Sequence, residues 1–145
     1  MIQNIVKQLK SLPPQSKLII FGGGYSGQRI ASVGRYLGAE VLCSRREKDS
    51  KGADFIFNTD KECSYEILEG ATHVLSCIPP LENGKDPVLS KIKTQLLNSK
   101  NLKWVGYLST TGVYGDTKGE WVNENTSPNP QQDRSIRRFS CEKEW

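Results

Sequence analysis

Ten residues, Leu18 to Gly27, constrain this chain more than any others. Leu18-Ile19-Ile20-Phe21 is a short continuous apolar run, the pattern of a buried strand. It leads directly into Gly22-Gly23-Gly24-Tyr25-Ser26-Gly27, which fits G-x-G-x-x-G, and then into Gln28 to Val33, which can be helical. A strand, a glycine turn and a helix in that order form a cradle for phosphate. Each glycine has its own reason. Gly22 permits the tight turn, a Cβ at Gly24 would collide with a pyrophosphate, and Gly27 lets helix and strand pack closely. The helix's first N–H groups and the positive end of its dipole complete the cradle. Gly22, Gly24, Tyr25, Ser26 and Gly27 are therefore the candidate cofactor-binding residues of the turn. The competing reading is a tight turn that binds nothing.

The chain has 145 residues, enough for one domain with one real core. Residues 1–145 read as a single domain in which 1–16 form an N-terminal helix and linker. The net charge is +4 with lysine and arginine scattered. No basic run or aromatic ladder supports a nucleic-acid surface. The mild positive balance suits an anionic cofactor. Cys43, Cys63, Cys77 and Cys141 are far apart and form no C-x-x-C pair, so they read as reduced and mostly buried. One histidine and no ligand spacing argue against a zinc site, and no metal is expected. No apolar run reaches membrane-spanning length and no signal-peptide core opens the chain, so a soluble cytoplasmic protein is expected.

The remaining pattern alternates. Met1 to Lys10 has a helical apolar spacing, ended by Leu12-Pro13-Pro14. The first strand is Lys17 to Phe21, followed by a helix from about Ser26 to Leu37 closed by Gly38. Ala39 to Ser44 and Ala53 to Asn58 are the second and third strands. Cys63 to Leu68 reads as a short helix closed by Gly70. Thr72 to Ile78 is the fourth strand, stopped by Pro79-Pro80. Asn83-Gly84 marks a turn. Pro87 to Asn98 is the clearest helix, capped by Asp86, with Val88, Ile92, Leu96 and Leu97 as its apolar stripe. Lys103 to Ser109 is the fifth strand, and Asp133 to Trp145 a last helix. Strands alternating with helices predict an α/β fold, a doubly wound parallel sheet of Rossmann type, with the ligand at the carboxyl ends of the strands.

The end of the second strand distinguishes dinucleotides. An NAD site usually carries a carboxylate there to hold the ribose hydroxyls. This chain has Ser44-Arg45-Arg46 instead. Guanidinium groups clamp phosphate with paired hydrogen bonds and stack on adenine. Ser44, Arg45 and Arg46 therefore favour NADP over NAD, against the plainer reading of two solvated surface arginines.

Four stretches then resemble the extended and atypical short-chain dehydrogenase/reductases, the NAD-dependent epimerase/dehydratase family: FGGGYSG at 21–27, HVLSCIPP at 73–80, WVGYLSTTGVYGD at 104–116, and NENTSPNP leading to EKEW at 123–145. The resemblance implies an NAD(P)-binding Rossmann domain. It implies that Cys77, Ile78, Pro79 and Ser109 lie along the cofactor, and that Thr110, three residues before the valine of V-Y-G, bonds the reacting oxygen of a substrate. The family's acid/base pair, Tyr-x-x-x-Lys, falls on Arg134 and Arg138. Arginine stays protonated and is a poor general base. The pair reads either as an anion clamp or as one exposed helix face. Tyr114 and Lys118 share the Tyr-x-x-x-Lys spacing but belong to the V-Y-G segment, and we reject them as the pair. The family continues beyond Trp145 with a substrate-binding lobe, so a natural short form and a fragment are both open. The fifth strand is expected to present a free edge for a partner, a homodimer among the options.

Three functions follow. The first is an oxidoreductase or epimerase acting on a sugar-like or carbonyl substrate, with Thr110 and Arg134 as its catalytic candidates. The second is a non-catalytic dinucleotide-binding module or sensor. The third is a Rossmann-like remnant that associates through its free edge.

Overall fold

The computed structural model describes residues 11–47 and 51–145. The helix expected over Met1 to Lys10 lies outside them. Five parallel strands form the sheet: β1 (Lys17–Phe21), β2 (Glu40–Arg45), β3 (Phe55–Ile56), β4 (His73–Ser76) and β5 (Trp104–Tyr107), in the spatial order β3-β2-β1-β4-β5. β1 is central. Its register runs from Lys17 opposite Glu40 to Ile20 opposite Cys43 on one side, and from Leu18 opposite His73 to Phe21 opposite Ser76 on the other. Among the described residues β5 pairs with β4 alone.

The alternation of a strand explains why Leu18 to Phe21 is apolar throughout. Ile19 and Phe21 enter a core with Phe57, Val74, Val88 and Ile92, while Ile20 enters a second with Ala31, Val41, Cys43 and Leu75. Both faces of the sheet are covered, as a parallel sheet requires. Helix α1 (Tyr25–Tyr36) lies over the second core and presents small residues, Gly27, Ala31 and Gly34, to the sheet. It closes as expected at Gly38, where φ is +90° and the amide donates to Arg35 O at 3.1 Å. Helix α2 (Leu89–Asn98) covers the first core, and α3 (Asp133–Glu144) is the last helix.

Four details differ from the sequence expectation. The third strand has two residues rather than six. Asp54 and Phe57 still donate amides to Cys43 O and Arg45 O, at 2.9 Å each. The helix expected over Cys63 to Leu68 is one 3-10 turn, Glu66–Leu68. The expected fourth and fifth strands pair over four residues each, His73–Ser76 and Trp104–Tyr107. Leu97 does not belong to the buried stripe: it is 77% exposed, and Leu89 is buried beside Val88 and Ile92. Nine positions from Val88, at about 100° each, turn Leu97 to the opposite side of the helix. No helix among the described residues is long and apolar enough to cross a membrane.

Candidate functional site

A cleft of about 300 Å³ opens at the carboxyl ends of β1, β2 and β4, where the chain leaves β1 toward one side of the sheet and β4 toward the other. Such a switch point is where open α/β sheets bind ligands. The glycine turn forms its floor, Ser44 to Arg46 one wall, and Ile78 to Leu81 with Pro87 the other.

The turn is held by backbone and by one side chain. Gly22 N–H donates to Ser44 Oγ at 2.9 Å, and Gly23 N–H to Ser44 O at 2.7 Å. Gly22 has φ +93°, and a Cβ there would sit 2.9 Å from Ile78 Cγ1. A Cβ at Gly27 would run into the carbonyl oxygen of Gly22. Gly24 is different: a Cβ there meets nothing within 4 Å, and the residue lines the cleft. The space beside it is open to a ligand. The α1 ladder begins with Gln28 N–H to Gly24 O at 2.9 Å, so the amides of Tyr25, Ser26 and Gly27 precede it. No acidic residue occupies the first turn of α1. The turn therefore fits an anion, by dipole, by donors and by space.

The arginine wall is anchored from behind. Arg45 Nε and Nη2 donate to Lys51 O at 3.3 and 3.2 Å, and Gln28 Nε2 donates to Gly52 O at 2.7 Å. Asp54 Oδ2 accepts from Arg35 Nη2 at 3.0 Å and from Cys43 N–H at 2.8 Å. Arg46 is exposed at the rim.

The sequence candidates separate into two groups. Gly22, Gly24, Ser44, Arg45, Arg46, Ile78 and Pro79 line the cleft together. Tyr25 and Ser26 stand exposed at the start of α1, Tyr25 beneath the Arg29 guanidinium at 5.0 Å. Cys77 is not in the lining. It packs against the second core, opposite in the strand alternation to Ile78. Ser109, Thr110, Arg134 and Arg138 also lie outside the lining: Ser109 and Thr110 just after β5, and Arg134 and Arg138 on α3. Ser109 Oγ donates to Glu142 Oε2 at 2.6 Å. Thr110 Oγ1 accepts from Gly112 N–H at 3.3 Å. Arg134 is exposed and donates from Nε to Gln132 Oε1 at 3.1 Å. Arg138 donates from Nη1 to Leu108 O at 2.9 Å, with its guanidinium 5.6 Å from the Tyr107 ring centroid. Tyr114 ends a 3-10 turn and Lys118 lies on the following loop. Sequence reasoning missed Phe57, Thr59, Pro80, Leu81 and Pro87, which line the cleft from irregular segments. Phe57 carried the signal of a strand, Pro80 that of a strand stop and Pro87 that of a helix start; none of them signalled a ligand.

The thiols are free, Cys43 and Cys141 buried, Cys63 and Cys77 partly so. Burial pushes Cys77 and Cys141 up from an ordinary 9.0 to about 11, and raises Cys43 as well. Their stabilising contribution is complete below pH 9, where both folded and unfolded chains hold neutral thiols. Between about pH 9 and about pH 11 the unfolded chain ionises first, and stability falls. The urea midpoint is expected to be lower at about pH 10.5 than at about pH 8, and Cys43→Ala/Cys77→Ala/Cys141→Ala is expected to flatten that fall. An equal fall in the triple variant would remove the thiols as its cause.

No family model and no curated protein matches the chain. Solved structures do. A functionally unknown conserved protein from Silicibacter pomeroyi is 33% identical, with a TM-score of 0.74 over 90% of this chain and 48% of its own. A protein from Methylobacillus flagellatus assigned as an NAD-dependent epimerase/dehydratase is 24% identical, with a TM-score of 0.67 over 87% and 48%. MoeE5, solved with UDP-glucose and NAD, is 14% identical, with a TM-score of 0.68 over 88% and 47%. The chain shares its α/β, Rossmann-type parallel-sheet fold with these structures. It spans about half the length of each of these structures.

Proposed function

We propose that this chain is an NAD(P)-binding unit of the epimerase/dehydratase kind, which seats a dinucleotide pyrophosphate on the Gly22–Gly27 turn. One observation carries this reading: Gly24 faces open space at the start of α1, in a turn whose other glycines are packed. A neighbour of the same fold solved with NAD supports a dinucleotide. Preference for NADP rests on Arg45 and Arg46, since a 2′-phosphate would meet guanidinium groups and no carboxylate at the end of β2. Calorimetric titration with NADP and NAD, in both redox states, tests both levels. Tight NADP binding with weak NAD is the expected result; binding of neither overturns the proposal. Arg46→Ala is expected to weaken NADP about tenfold or more and to leave NAD within about twofold. Equal weakening of both would remove Arg46 as the reader of the 2′-phosphate.

Turnover is a separate matter. As an oxidoreductase or epimerase, the protein would act on a sugar-like or carbonyl substrate, with Thr110 and Arg134 at the reacting end. A non-catalytic binding unit is the second reading. Arg138, in the place of the family's lysine, is committed to Leu108 O and the Tyr107 ring, and an arginine does not exchange protons near neutrality. A substrate panel that stays inert while NADP is bound favours the second reading; turnover of any member favours the first. A second copy pairing along the outer edge of β5, which pairs with no further strand among the described residues, is the assembly we propose with either, and sedimentation at several concentrations tests it.

A further inference from the structure

The wall of the cleft opposite the arginines belongs to a loop with two neighbours. Pro79, Pro80, Leu81 and Pro87 face the cleft. The same loop is gripped from its other side by α3, where Cys141 Sγ donates to Gly84 O at 3.4 Å. Between them sits Asp86, 2% exposed. Its Oδ1 accepts from Val88 and Leu89 N–H, both at 2.8 Å, and so caps the turn that opens α2. Its Oδ2 accepts from the indole Nε1 of Trp145 at 2.9 Å. Trp145 in turn stacks on Tyr107, with centroids 6.2 Å apart and rings 14° from parallel.

We propose that Asp86 and Trp145 are positioning residues for the dinucleotide: the buried carboxylate ties the Pro79–Pro87 wall to α3, and the wall keeps its binding shape only while that tie is made. This rests on the reading that the cleft holds a dinucleotide. The physical reason is the cost of separating the partners. A carboxylate that serves two helices from a buried position cannot follow the loop outward without leaving an indole N–H, or its own oxygen, without a partner. The loop is closed by Leu81 N–H to Lys85 O at 3.0 Å, Gly84 N–H to Leu81 O at 2.9 Å and Lys85 N–H to Asn83 Oδ1 at 3.1 Å. These bonds shape the loop, and Asp86 with the Cys141 contact fixes where it sits against α3.

The test compares the wild-type chain with Trp145→Phe, which keeps an aromatic ring against Tyr107 and removes the N–H together with part of the indole ring system. Three quantities are read: the NADP dissociation constant by calorimetry, amide hydrogen exchange at Leu81 and Gly84, and the thermal midpoint. Trp145→Phe is expected to weaken NADP roughly tenfold and to speed exchange at Leu81 and Gly84 by a similar factor, with the β1 and α1 amides unchanged. Asp86→Asn keeps an oxygen for the cap and sets an amide N–H₂ against the indole. In Asp86→Asn/Trp145→Phe that conflict is gone, so the double variant is expected to lose less than the two single losses combined. Unchanged NADP affinity in Trp145→Phe overturns the proposal. So does exchange that speeds equally throughout the fold, which would make the indole a general packing group. A wild-type chain that binds no dinucleotide refutes the reading of the cleft instead, and the exchange rates at Leu81 and Gly84 then decide the tie by themselves.

Discussion

Gly24→Val is expected to abolish NADP binding, by at least about 100-fold in dissociation constant, while the protein keeps its fold. Gly24 has φ −72° and ψ −159°, extended backbone that any residue adopts. A Cβ there meets no atom within 4 Å. The folded chain therefore tolerates the side chain, and the added isopropyl group fills only the space beside the α1 amides. A thermal midpoint near wild type with no calorimetric heat is the expected pair of results. Binding that survives the change would place the pyrophosphate elsewhere.

Gly27→Ala is expected to do the reverse. Gly27 is buried where α1 crosses β1, and a methyl group would run into the Gly22 carbonyl oxygen and lie 3.3 Å from Ile20 Cγ2. The carbonyl belongs to the turn and cannot rotate away. α1 must shift off the sheet, and overpacking of this kind costs about 3 kcal/mol. The thermal midpoint is expected to fall by roughly 10 °C for a chain of this size. A loss under about 1 kcal/mol in urea unfolding would mean that helix and strand are not in close contact there. Two glycines three positions apart in one motif thus separate ligand binding from stability.

The parts of the fold legible in the sequence are those set by local chemistry. The Leu18 to Phe21 run, the glycine turn and Gly38 each place a backbone conformation that few other residues allow, and β1 and α1 form there. The alternation of elements then predicts a doubly wound parallel sheet, and the glycine turn after the first strand favours the Rossmann order that forms. The parts that were not legible depend on partners far away in sequence. Ala53 to Asn58 has strand composition, yet only Phe55 and Ile56 pair regularly, because the chain must turn to bring Phe57 under Phe21. Cys77 and Ile78 are neighbours in sequence and face opposite sides of the sheet, so a motif that names both places only one in the cleft. Asp86 reads as a helix cap, which it is. Its second oxygen is spoken for by Trp145, 59 residues on, and no spacing announces that bond. Leu97 is legible from spacing alone, since the helical angle from Val88 turns it outward.

The central place of β1 has a consequence for how the chain acquires its structure during synthesis. β1 is made before both of its neighbours: β2 follows soon after, but β4 comes much later. Until His73 to Ser76 leave the ribosome, Ile19 and Phe21 have no strand to complete their side of the sheet, and one wall of the cleft does not exist. Pairings of such long range slow folding, to milliseconds or longer as an order of magnitude, and leave apolar segments open to chaperones in the interval. The strand that carries the phosphate cradle therefore waits, paired on one side, for its second neighbour.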